Sequence, residues 1–130
     1  MLRPSSIRSF LLAAGLWAAA AAALAGELPY DHAKFAAAMA RGEPVVLDFA
    51  ASWCPTCRAQ KPIVQSLLQE DRRKALTLFL ADYDTEVALK KQFGVTQQST
   101  FVVFKGGKEV GRSTGQTQKQ AIAELFDKAL

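Results

Sequence analysis

Both cysteines of the chain lie two residues apart, in Trp53-Cys54-Pro55-Thr56-Cys57. A nearly unbroken apolar run, Val45-Val46-Leu47-Asp48-Phe49-Ala50, comes just before them, and a helical pattern starts just after, at Arg58. A strand of that composition is expected where both faces of a sheet are covered. The cysteine pair therefore falls at a strand-to-helix junction, with Cys54 at the helix N-terminus. A disulfide between such close neighbours closes too short a loop to staple a fold usefully. A four-cysteine zinc site is also excluded, because no other cysteine exists.

Dithiol exchange, in contrast, suits this spacing. One thiolate attacks a disulfide, and a second thiol nearby resolves the mixed disulfide. Unpaired amides and the helix dipole favour negative charge on Cys54, and Arg58 and Lys61 add positive charge beyond it. Cys54 is assigned as the attacking thiol. Cys57, one turn on, is assigned as the resolving thiol and is expected to be the less exposed of the two. Asp48 is an acid inside a buried strand, six residues before Cys54. Burial is expected to raise its pKa, and it is placed to exchange a proton with Cys57.

The N-terminal segment bears on where this chemistry takes place. Arg3 and Arg8 precede an apolar stretch from Phe10 to Ala25 that ends in Ala23-Leu24-Ala25. This fits a secretory signal peptide over residues 1–25, cleaved before Gly26. At 16 residues the stretch is shorter than the ~20 needed to span a bilayer. An uncleaved membrane anchor is the alternative. Residues 26–130 then form one domain. The formal charge of +4 falls to +2 without Arg3 and Arg8, and no basic patch interleaved with aromatics occurs. Nucleic-acid binding is not indicated.

Within that domain, Asp31 caps a helix over 32–41 whose Phe35, Ala38 and Met39 share a face. His32, the single histidine, reads as a surface residue. The helix after the cysteines is expected to reach about Ala75, with Glu70 to Lys74 as a solvated charged end. Leu76 to Ala81 is a second buried strand. Asp82, Asp84 and Glu86 form an acidic, capping turn. Residues 85–93 form a short helix that buries Val87, Leu89 and Phe93 and ends at Gly94. Residues 101–104 and 108–112 pair as a hairpin across Gly106-Gly107. Residues 117–130 close the chain as an amphipathic helix carrying Ile122, Leu125, Phe126 and Leu130. Strands alternating with helices imply a parallel central pair, with the hairpin as an antiparallel edge.

Leu47-Asp48-Phe49, Trp53-Cys54-Pro55-Thr56-Cys57, Pro62, Phe93-Gly94-Val95, Phe104-Lys105-Gly106-Gly107 and Gly115 together resemble the thioredoxin family, over nearly all of residues 26–130. The resemblance implies an α/β thioredoxin fold, a central mixed β-sheet flanked by helices. It implies thiol–disulfide oxidoreductase activity, with Cys54, Cys57 and Asp48 catalytic and Trp53 shielding the site. Pro55 and Thr56 complete the motif, and Gln98 and Ser99 belong to the substrate groove. Two positions depart from the family pattern. Ser99 stands where the family has a cis-proline facing the cysteines, and its hydroxyl is expected near the sulfurs. Leu80 stands where many members have a lysine beside the buried acid.

The Cys-Pro-Thr-Cys sequence also resembles the periplasmic reductants of cytochrome c maturation, whose extra insertion is missing from the short path between Leu76 and Ser99. The expectation is an exported, monomeric reductant of protein or small-molecule disulfides, recharged by a membrane electron donor, with no cofactor and no metal. The alternatives are a cytochrome c maturation-type thiol reductant, or a copper or iron–sulfur binding protein using the same two cysteines.

Overall fold

A computed structural model describes residues 26–130, together with Gly15. The expected signal peptide, including Arg3, Arg8 and the Ala23-Leu24-Ala25 cleavage motif, lies outside this described domain. The elements in chain order are β1 (Gly26–Pro29), α1 (His32–Ala40), β2 (Val45–Ala50), α2 (Pro55–Gln69), a 3-10 turn (Asp71–Arg73), β3 (Thr77–Asp82), α3 (Val87–Phe93), β4 (Thr100–Lys105), β5 (Lys108–Thr114) and α4 (Lys119–Asp127). One sheet has the order β1-β3-β2-β4-β5. β2 pairs parallel with β3 and antiparallel with β4, and the β4–β5 hairpin forms one edge. This is the mixed, helix-flanked sheet expected from the sequence. β1, which the sequence pattern did not reveal, adds a parallel strand beside β3 and places Glu27 opposite Leu78.

Strand alternation divides the core. Val45, Leu47 and Phe49 join Phe35, Phe79 and Phe104 in one buried cluster, with α1 and α3. Val46 joins Val64, Leu67, Phe101, Ile122 and Phe126 in the other, with α2 and α4. By the same alternation Asp48 points with Val46, towards the side covered by the cysteine helix. Gly106 and Gly107 both have positive φ, 59° and 75°, which suits the tight turn between β4 and β5.

Local expectations change in α2, in the charged segment after it, in α3, and in α4, which ends at Asp127 and leaves Leu130 exposed. The cysteine helix begins at Pro55, because Pro55 supplies a preset φ at the first position and Cys54 supplies the cap. It ends at Gln69, where Glu70 turns extended at ψ 135°. The charged segment that follows is not wholly solvated. Arg73 is buried, donates to both carboxylate oxygens of Asp127 at 2.8 and 3.0 Å, and also bonds Glu70. This ties the end of α2 to α4 and satisfies a guanidinium that could not otherwise be buried at acceptable cost. In α3, Leu89 is buried but Val87 is exposed, because it begins a helix of only two turns. No helix among the described residues is long and apolar enough to cross a membrane.

Candidate active site

Cys54 has an extended backbone, φ −88° and ψ 113°, and its sulfur is the N-cap of α2. The Cys57 N–H donates to Cys54 Sγ at 3.1 Å. A helix start carries unpaired N–H groups, and here one of them is aimed at the sulfur. Cys57 follows one turn later on the inner face of α2, and both thiols are free.

Ser99 reaches the same point from the loop before β4. Its Oγ lies 3.0 Å from Cys54 Sγ and 3.2 Å from Cys57 Sγ. The described residues contain no cis peptide bond, so Gln98-Ser99 is trans, and Ser99 adopts φ 59°. That left-handed conformation is uncommon for a side chain-bearing residue, and several contacts hold it. The Ser99 carbonyl accepts from Gly115 N at 2.9 Å and from Gln60 Nε2 at 3.4 Å. Gln60 Nε2 also donates to the Gln116 carbonyl at 2.9 Å. Gln98, just before Ser99, is half-buried.

The relative exposure of the cysteines reverses the sequence expectation. Cys54 is 1% exposed and Cys57 8%. Ser99 and the Cys57 amide draw the Cys54 sulfur inward, whereas Cys57 borders a cavity. Burial pushes the Cys54 thiol up, but hydrogen bonds from Cys57, Ser99 and the Cys57 and Thr56 amides outweigh it, leaving the thiol below its ordinary range. Cys57 is held above that range by burial and by its hydrogen bond with Cys54. The two thiols are thus differentiated, with Cys54 the easier to ionise.

The cavity beside Cys57 measures about 440 Å³ and is lined by residues including Glu27, Asp48, Arg58, Lys61 and Leu80. Asp48 is buried, and its Oδ1 has no hydrogen-bond partner. Burial first, and the charge of Glu27 second, push its pKa up to about 7. Leu80 pairs with Asp48 across β2 and β3 and contributes no cation there. The basic groups at this cavity come instead from α2, as Arg58 and Lys61, both exposed.

Trp53 is 52% exposed and its Nε1 donates to Asp84 Oδ2 at 2.9 Å. The acidic turn is thus part of the site's frame. Asp82 Oδ1 accepts from the Asp84 amide at 2.8 Å, which orients Asp84 towards Trp53. His32 is exposed and near Tyr30, and Met39 packs into the α1 cluster. Among the described residues, no three His, Cys, Asp or Glu side chains are grouped to hold a metal.

Glu27 and Gln60 were missed from the sequence, and Asp84 was read only as part of a capping turn. Gln60 carried a usable signal, since it shares the helical stripe of Cys57, Val64 and Leu67, all buried. Glu27 carried none, because β1 is four residues long and recognisable only by its pairing.

The thioredoxin family model matches residues 27–128. The chain is 36% identical over 84 residues to the thioredoxin of Chlamydia muridarum, covering 65% of this chain and 80% of that protein. It is 33% identical over 92 residues to the bifunctional thioredoxin reductase/thioredoxin of Mycobacterium leprae, covering 71% of this chain but 20% of that longer protein. The crystal structure of Trxlp from Edwardsiella tarda EIB202 superposes with a TM-score of 0.76 at 37% identity, covering 78% of this chain and 98% of that one. The chain belongs to the thioredoxin family and is a thiol–disulfide oxidoreductase of the thioredoxin type.

Proposed function

We propose that the protein is an exported reductant of protein disulfides, with Cys54 attacking and Cys57 resolving. The observation that carries this reading is Cys54 Sγ seated on the Cys57 amide with the Ser99 hydroxyl against it. Fixed donors stabilise the thiolate more than the thiol, which is how a buried sulfur becomes a nucleophile at neutral pH.

The Cys54 thiolate forms a bond to one substrate sulfur, the substrate disulfide breaks, and the released sulfur takes the electron pair and a solvent proton. Cys57 then bonds to Cys54 Sγ and displaces the second substrate sulfur. Asp48, on the cavity it shares with Cys57, is one acceptor for the Cys57 proton. The substrate gains two electrons, and the protein is left with a Cys54–Cys57 disulfide. A membrane electron donor returns two electrons, and one proton on Cys57 restores the Cys54 thiolate and Cys57 thiol that began the cycle. Gln98, next to Ser99, and Pro55 and Thr56, between the cysteines, would line the groove for the substrate backbone.

The leader of residues 1–25 supports export as far as the periplasm or beyond. Mature protein recovered outside the cytoplasm should begin at Gly26 on N-terminal sequencing; a chain beginning at Met1 removes the cleaved-signal reading. The catalytic test is insulin reduction with dithiothreitol as donor. Cys54→Ser should lower the rate by at least about a thousandfold, the scale of loss when a nucleophile is removed. A wild-type rate no better than that of the variant would refute the assignment.

A further inference from the structure

We propose that the Ser99 hydroxyl is a catalytic proton shuttle, carrying the proton of Cys57 to the substrate sulfur that leaves Cys54. This rests on the proposed roles of the two cysteines. One oxygen lies 3.0 Å from one sulfur and 3.2 Å from the other. A hydroxyl is a single donor with two acceptor lone pairs, so Ser99 can accept from Cys57 S–H while donating towards Cys54. A proline at this position, the residue expected from the family pattern, has no proton to pass.

In the resolving step the Cys57–Cys54 bond forms and the Cys54–substrate bond breaks. The leaving sulfur takes the electron pair of the broken bond and the Ser99 hydroxyl proton. Ser99 Oγ takes the Cys57 proton in the same event and ends as the hydroxyl it began as. No outside oxidant or reductant enters this step. The charge that would build up on the leaving sulfur is cancelled where it forms, at a buried site from which water is largely excluded.

The fold holds the Ser99 backbone in place, and the hydroxyl turns about the Cα–Cβ bond from the cysteine sulfurs towards the leaving sulfur. Ser99 is 2% exposed. Its carbonyl is tied to Gly115 and Gln60, which reach it from the end of β5 and from the inner face of α2. Its left-handed backbone turns Oγ towards the sulfurs.

This geometry also divides the work with Asp48, which faces Cys57 from the cavity side. The charged and titratable groups at that cavity are Glu27 from β1, Asp48 from β2, Asp82 from β3, and Cys57, Arg58 and Lys61 from α2. A basic leaving sulfur takes its proton by way of Ser99. For a leaving sulfur too weakly basic to accept a proton, Asp48 remains the acceptor.

The test compares two leaving groups. Reduced protein is mixed with a disulfide of an alkyl thiol, such as cystamine, or with an aromatic disulfide whose thiolate is weakly basic, such as dithionitrobenzoate. The Cys54 mixed disulfide is followed to its decay by rapid quench and mass spectrometry. Ser99→Gly removes the hydroxyl and keeps a residue that favours φ near 60°. Ser99→Ala is the second variant.

Each variant should slow alkyl-thiol release relative to aromatic-thiol release by at least about tenfold, since proton transfer in a transition state contributes on the order of a hundredfold or more. Equal slowing of both, as a structural role would give, overturns the shuttle. So does no slowing of either. A wild-type protein that forms no mixed disulfide through Cys54 overturns the shuttle together with the function on which it rests.

Discussion

Cys54 and Asp48 are both nearly inaccessible to water, at 1% and 7% exposure, yet their acidities move in opposite directions. The thiol is pulled below its ordinary range and the carboxyl is pushed up to about 7. Burial alone disfavours the anion in both cases. What separates them is the supply of donors. Cys54 has an amide at 3.1 Å and a hydroxyl at 3.0 Å, whereas Asp48 Oδ1 has no hydrogen-bond partner and the nearby charge of Glu27 opposes its ionisation. One buried site is solvated by fixed protein dipoles and the other is left bare. For the proposed mechanism both settings are useful: a thiol attacks through its anion, which a lowered pKa favours, and a proton acceptor works best close to neutrality.

Asp48→Asn tests the bare side of this comparison and should have the largest effect. The folded state holds the Asp48 proton from the ordinary value of 3.8 up to about 7, whereas the unfolded chain releases it near 3.8. Stability should therefore be highest below about pH 4 and fall as pH rises to about 7, by roughly 4 kcal/mol in total. The asparagine variant should be more stable than the parent at about pH 8 by up to that amount, and nearly unchanged at about pH 4. Urea unfolding at the two pH values measures this. A gain that does not depend on pH would mean that the carboxyl is ionised in the folded protein without penalty.

Ser99→Gly tests the solvated side. Loss of one donor should raise the Cys54 pKa and reduce the thiolate fraction at neutral pH, as read from ultraviolet absorbance of the reduced protein during a pH titration. The Cys57 amide stays in place, so the change should be smaller than the Asp48 effect. An unchanged titration curve would leave the amide as the main support of the anion.

Glu27→Gln should have the smallest effect. It removes the secondary cause of the Asp48 shift and leaves burial, so the Asp48 midpoint should move down modestly. Carboxyl-carbon NMR can follow it, and an upward move would contradict the assigned repulsion.

Most of the fold could be read from local pattern. β2 begins and ends where its apolar run does, Asp31 caps α1 through Lys34 N at 2.8 Å, and Gly94 closes α3 at φ 62°. The cysteine pair was legible for the same reason, because its geometry comes from a single helical turn of chain. Arg73 was misread because a charged residue in a charged run usually faces water, and its partner Asp127 lies 54 residues away.

The sequence by itself determined the chemistry, a dithiol at a helix start behind a buried strand, and with it the family. It also specified an acid in that strand, a serine at the groove position and no lysine at position 80. The tertiary structure decided how those groups meet. It put one hydroxyl between sulfurs 42 and 45 residues away, drew Cys54 further from water than Cys57, and brought Glu27 to the Asp48 cavity through a four-residue strand. Each of these depends on parallel strand pairing and on a loop held by Gln60 and Gly115. Hydrogen bonds and burial act through space, so their effect on acidity is set only once distant segments are packed together.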